Sequence, residues 1–158
     1  MQWGVNHLGH FYLTYLLWNK ITASPSFRVV SVASLAHKDT VGLKIEPYPN
    51  WENVNYDKNY PNNDYETYNP KIAYSRSKLY NVLFIKALAE KIGKRGIVAS
   101  LHPGVVRTDL FREVYSTGLK GKITGALLLL FYPILWLVLK SPSQGNQTTM
   151  FSLLSDKV

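Results

Sequence analysis

Two short runs constrain this chain more than any other feature. "FRVVSVAS", residues 27–34, and "IVASLHPG", residues 97–104, are apolar and rich in branched side chains, without alternation. Such runs read as strands buried on both faces, the pattern of a parallel sheet. Parallel neighbours need a crossover, and each run follows a stretch of helical period. Before the first lies "VNHLGHFYLTYLLWNK", residues 5–20, with Leu8, Phe11, Tyr12, Tyr15 and Leu16 near one face. Before the second lies a longer helix, capped by Asn69 and opened by Pro70. It runs to about Lys91 with Leu79, Val82, Leu83, Leu88, Ala89 and Ile92 as its apolar face, and Gly93 and Gly96 end it. Helix, strand, long helix, strand is the grammar of a doubly wound α/β sheet, where ligands bind at the carboxyl ends of strands. Ser34 and Pro103-Gly104 stand at those ends.

The remaining segments are of other kinds. Residues 38–68 are rich in Asn, Asp, Tyr, Pro and Lys, and read as a long loop with at most one short helix. Loops of that length in compact domains are functional or peripheral insertions. "ITGALLLLFYPILWLVL", residues 123–139, carries no charge but is interrupted by Gly125 and Pro133. It is slightly short for a membrane span, and reads either as a buried lid or as a segment lying in a bilayer surface. Ser141 and Pro142 open a final amphipathic helix.

Composition removes several chemistries. The chain has no cysteine, so disulfides, thiolate metal sites and cysteine nucleophiles are excluded. His7, His10, His37 and His102 lack metal-binding spacing and are expected to be structural, His102 through strand-end packing before Pro103. No metal site is expected. A net charge of +8 suits nucleic acid, anionic lipid or a phosphorylated cofactor. The densest basic group, "KIGKRG" at 91–96, sits at a helix end, where lysines favour the negative pole of the dipole. The aromatics are not interleaved with Lys and Arg, so no nucleic-acid partner is expected. "QWGVNHLGHF" after Met1 shows no basic n-region and no small-residue cleavage site, so no secretory signal is read.

"YNPKIAYSRSKLYNVLF", residues 68–84, sets Tyr74 and Lys78 one helical turn apart. Chance alone supplies about one such pair in a chain with 11 Tyr. Taken singly, Tyr74 packs, Lys78 is solvated, Ser34 caps a loop and Asn6 is a helix N-cap. Taken in order, "NHLGHF", "RVVSVAS", "AYSRSKLYNVLF", "LHPGVVRTDL" and "SPSQGNQTT" resemble the short-chain dehydrogenase/reductase family, and most closely its retinol dehydrogenase-like branch. The resemblance covers nearly all of the chain apart from residues 38–68.

It implies that residues 1–158 form a single partial domain, the C-terminal catalytic half of a doubly wound, Rossmann-type parallel sheet. The implied activity is NAD(P)-dependent hydride transfer on a lipophilic alcohol, aldehyde or ketone. Such a transfer needs a proton moved to or from the substrate oxygen. A phenol is a poor base at neutral pH, and a nearby lysine supplies the positive charge that favours the phenolate. By the resemblance, Tyr74 is the general acid/base, and Lys78 tunes it and holds the nicotinamide ribose. Ser34 bonds the substrate oxygen, and Asn6 fixes the helix and water that feed a proton relay. Pro103, Gly104, Val106 and Thr108 match the positions cradling the nicotinamide end of NADP or NAD.

Three departures accompany the resemblance. The glycine-rich T-G-x-x-x-G-x-G turn that holds the cofactor pyrophosphate does not occur in these residues, nor does the Asn-Asn-Ala-Gly stretch. The chain therefore reads as N-terminally truncated. Ser34 and Tyr74 are separated by more residues than usual, and Ala33 stands where a serine is common. The alternative expectation is a non-enzymatic remnant acting as an interaction or structural subunit. Either way, a protein partner or an N-terminal half is expected to complete the sheet. The expected location is intracellular and membrane-associated, at the endoplasmic reticulum or another organelle.

Overall fold

The computed structural model describes residues 2–40, 70–107 and 139–156. Two compact units divide at His102 and Pro103.

The first unit is mixed α/β. A π-helical turn, Gly4–Leu8, leads into α1 (Gly9–Thr22), then β1 (Arg28–Val32), a 3-10 helix (Leu35–Thr40), α2 (Pro70–Ile92) and β2 (Ile97–Leu101). β1 and β2 pair in parallel, from Arg28 opposite Ile97 to Val32 opposite Leu101. The expected order of helices and strands is therefore present. Both strands stop early, so Ser34 and Pro103 lie two residues, and Gly104 three, beyond the last pairs instead of upon them.

The expectation of strands covered on both faces is not met among the described residues. β2 is half-buried throughout, and β1 ends in an exposed Val32. Among the described residues the sheet has two strands, so each shows an edge without a strand partner and neither gains the cover of a central strand.

The core gathers where α2 crosses the sheet. Phe27, Ile85, Leu88 and Ile92 form it, with Trp18, Ile21, Val29, Phe84 and Val98 packed against them. Phe27 lies directly on backbone: a Cβ at Gly96 would stand 2.6 Å from its ring. Gly93 ends α2 at a φ of 57°, in the left-handed region that only glycine enters freely.

Burial redraws the inner face of α2. Its buried residues are Ser75, Ser77, Asn81, Ile85, Leu88 and Ile92, while Leu83 and Ala89 are exposed and Leu79 and Val82 half-buried. Positions 81, 85, 88 and 92 keep the 4-3-4 spacing of one helical stripe. Its C-terminal part is core; its N-terminal part is polar because hydrogen-bond partners meet it there. The predicted Asn69 cap lies outside the described residues, as does most of the 38–68 loop.

α1 differs more. It buries no residue, and Leu8, Phe11, Tyr12, Tyr15 and Leu16, the face read from periodicity, are exposed. Trp18 and Ile21, near its C-terminal end, make the core contact instead.

In the second unit α3 (Pro142–Leu154) starts where expected. Ser141 Oγ accepts from Gln144 N–H at 3.2 Å, and Ser141 N–H donates to Gln144 Oε1 at 2.8 Å. This reciprocal cap satisfies two helix-end donors. Val106 bridges to Lys140 and rests on Gly145, where a Cβ would stand 2.5 Å from Val106 Cγ2. The expected amphipathic face is not what is covered: Gly145 and Ser152 are buried, and Met150, Phe151, Leu153 and Leu154 are exposed. Small residues let the 106 segment approach closely, so they take the inner side. No described helix is long and apolar enough to cross a membrane, and residues 123–138 fall outside the described set.

Candidate active site

The site grows from an irregularity in the first helix. Gly9 N–H reaches back five residues to the Gly4 carbonyl, which makes one π-helical turn. Such turns widen the backbone and recur at functional positions. Asn6 lies inside this turn, so it is not an N-cap. Its Nδ2 donates to Gln2 Oε1 at 2.6 Å and to Ser77 Oγ at 3.2 Å. Ser77 Oγ in turn donates to the Tyr74 carbonyl at 2.7 Å. Asn6 is thereby joined to the α2 turn that carries Tyr74.

A second set of bonds converges on the end of β1. The Val32 carbonyl accepts from Lys78 Nζ at 3.1 Å and, more weakly, from Asn81 Nδ2 at 3.5 Å. Asn81 Nδ2 also donates to the Asn6 carbonyl at 2.9 Å. Asn81 is 1% exposed, and its Oδ1 lies 3.0 Å from His7 Nδ1. Three elements are pinned together at this point: the π turn, the strand end and α2.

Lys78 Nζ also stands 5.7 Å from the centroid of the Tyr74 ring, within cation–π range. Burial lowers the pKa of the Lys78 ammonium. An ammonium has three N–H donors, and the Val32 bond uses one. The other two suit the vicinal hydroxyls of a ribose, so the donor set fits the nicotinamide end of a dinucleotide.

Ser34 opens the 3-10 helix that packs on α2, and its Oγ accepts from Ala36 N–H at 3.2 Å. This is the loop-capping bond, and it leaves the hydroxyl hydrogen free of it. The two readings of Ser34 are thus compatible. Pro103, Gly104 and Val106 belong to the second unit, with Gly104 at a φ of 85°. Thr108 lies outside the described residues.

Of the histidines, His7 is held structurally. Its ring sits among Trp3, Phe11, Tyr80 and Phe84, with centroids 5.5 to 6.4 Å away. Burial pulls its pKa down, the Asn81 bond opposes this, and the nearby His10 lowers it further. His102 is exposed, so the packing expected of it is not found. No group of three His, Asp or Glu side chains suited to a metal occurs among the described residues.

Along its whole length the chain is 37% identical to retinol dehydrogenase 13 of Homo sapiens and 36% identical to retinol dehydrogenase 14 of Homo sapiens. Over 97% of its length it is 35% identical to retinol dehydrogenase 12 of Homo sapiens. The chain is retinol dehydrogenase-like. It spans 42%, 41% and 40% of the length of those three relatives. No protein-family model matches it.

In this retinol dehydrogenase-like chain the resemblance named Asn6, Ser34, Tyr74 and Lys78, and missed Asn81 and Ser77; His7 was read as structural. A signal for Asn81 was present. It stands seven residues after Tyr74 and three after Lys78, on the stripe that continues through Ile85, Leu88 and Ile92. An amide on an otherwise apolar inner stripe announces buried partners. Ser77 had no comparable mark, because a serine on a helix can bond its own backbone, as Ser77 does at the Tyr74 carbonyl. Its other partner, Asn6, is 71 residues away.

Proposed function

We propose that this chain carries the catalytic part of an NAD(P)-dependent short-chain dehydrogenase/reductase acting on a lipophilic alcohol, aldehyde or ketone of retinoid type, within a partial Rossmann-type sheet. The carrying observation is the bond network that joins Asn6, the Tyr74 turn and Lys78 to the end of β1. Tyr74 gives or takes the proton of the substrate oxygen. Lys78 supplies positive charge beside the Tyr74 ring and offers its two remaining N–H groups to the ribose. Ser34 donates its hydroxyl hydrogen to the substrate oxygen. Asn6 holds the π turn against α2. A role for Pro103, Gly104, Val106 and Thr108 at the nicotinamide end rests on the resemblance alone. A bound dinucleotide would supply the hydride chemistry at the substrate carbon. The test is a chimera in which residues 1–158 are completed with the flanking segments of human retinol dehydrogenase 13. It is expected to reduce retinal with NADPH or NADH. A folded chimera without turnover contradicts the reading.

The chain by itself is expected to behave otherwise. The glycine-rich turn that would grip the pyrophosphate does not occur in it, so isothermal titration of residues 1–158 should show no NAD(P)H binding. Micromolar affinity would contradict this.

A second reading is favoured by the exposed apolar side chains of α1 and by the edges of a sheet that has two strands among the described residues. Such surfaces call for cover. On this reading the chain is a structural or interaction subunit without turnover of its own.

A membrane surface is the proposed neighbour of residues 123–139. The segment is uncharged and flanked by Lys120, Lys122 and Lys140. Each lysine near an anionic surface contributes about 1 kcal/mol, and a proline at position 133 is expected to disfavour one continuous helix. The chain is expected to float with anionic liposomes, and Leu129→Glu and Trp136→Glu to weaken flotation. Undiminished flotation of both variants excludes insertion by this segment.

A further inference from the structure

We infer that Asn81, completed by His7, is a positioning residue for Lys78. The inference rests on the functional reading above only in what Lys78 is for; the geometry stands on its own.

Two backbone carbonyls decide how the Asn81 amide is oriented. The Asn6 and Val32 oxygens both face Asn81 Nδ2, at 2.9 and 3.5 Å. Neither carbonyl can donate, so an amide oxygen turned toward them would meet two acceptors. Nδ2 must point there, and Oδ1 must face His7. His7 Nδ1 stands 3.0 Å from that oxygen and must therefore carry the hydrogen. The neutral ring then holds its lone pair on Nε2. Every donor and acceptor direction that the buried amide needs is matched by a group fixed elsewhere.

The consequence reaches Lys78 through a shared acceptor. The Val32 carbonyl that takes the Asn81 hydrogen also takes Lys78 Nζ, at 3.1 Å. It belongs to the last residue of β1, where strand pairing with β2 ends. One more ladder bond follows, from Ala33 N–H to the Leu101 carbonyl at 2.7 Å; the Val32 carbonyl itself is taken by Lys78 and Asn81. The same amide ties down the carbonyl of Asn6, so strand end and π turn keep one spacing relative to Lys78. His7 is packed among four aromatic rings and cannot follow if Asn81 moves. Removing Asn81 leaves the Asn6 carbonyl without this donor and the Val32 carbonyl with the lysine alone. With the strand end no longer tied to the π turn, the Val32 carbonyl shifts and Lys78 Nζ loses its fixed acceptor.

The test reads the lysine and histidine side-chain nitrogens of the 158-residue chain by NMR, with no cofactor present. In the wild type His7 should be the Nδ1–H tautomer, and Lys78 should titrate below the ordinary lysine range. In Asn81→Leu, Lys78 should move up into that range as burial is relieved. His7→Leu should move it the same way, and His7→Asn, which keeps an N–H at the equivalent position, should restore it. A Nε2–H tautomer in the wild type overturns the inference, as does a Lys78 titration unmoved in folded Asn81→Leu or His7→Leu. If neither variant folds, the wild-type tautomer alone decides. Failure of the functional reading would look different: the chimera would be inactive while the tautomer and the Lys78 shift remained.

Discussion

In the chimera, Tyr74→Phe should lose about 10²- to 10⁴-fold in turnover while cofactor affinity stays nearly unchanged, the range expected for removing one positioned acid/base. The substitution deletes a single hydroxyl and keeps the ring beside Lys78 Nζ, 5.7 Å from its centroid. Packing on α2 is therefore preserved, and a loss of rate reports on proton transfer. Lys78→Ala should lower turnover and cofactor affinity together. It removes the charge beside the ring and also the two N–H groups left over from the Val32 bond. Steady-state kinetics with NADPH titration separates the two variants. Equal and small effects from both would contradict the assigned roles.

Phe27→Ala is expected to cost about 3–5 kcal/mol, the usual loss for emptying a buried aromatic site. Few contacts stand in reserve. Phe27 is one of four residues in the described core cluster, and Trp18 meets its ring edge-to-face at 6.1 Å. Gly96 presses on the same ring, so the cavity lies between backbone and α2 and cannot close by side-chain motion alone. Total stability of a domain this small is of the order of 5–15 kcal/mol, so the variant should be largely unfolded or close to it. Tyr12→Ala, on the exposed face of α1, should change stability by no more than about 0.5 kcal/mol. Urea denaturation followed by circular dichroism measures both. A Phe27→Ala loss as small as that of Tyr12→Ala would place the core elsewhere.

Local chemistry made much of this chain legible from its sequence. Pro70, Gly93 and the Ser141-Pro142 pair mark helix ends through φ preference and capping, which depend on near neighbours only. The branched runs at 27–34 and 97–104 could form little except strands, though the strands end sooner, and the order of elements made a parallel pair the natural arrangement. Tyr74 and Lys78 share a helix face because four residues make about one turn.

What tertiary structure alone decided is burial and hydrogen-bond partnership. Leu83 looked like core and is exposed; Asn81 was not among the residues read as the inner face and is buried. Helical period says which residues share a face, but not which face meets the sheet or which polar groups wait there. The π turn at Gly4–Leu8 was equally hidden, since one widened turn leaves hydrophobic spacing almost unchanged. Its effect appears only through Ser77 and Asn81, more than 70 residues along the chain, to which Asn6 is bonded. Sequence named side chains able to do the chemistry; their joining depends on two strand-end and helix-turn carbonyls that no residue type encodes.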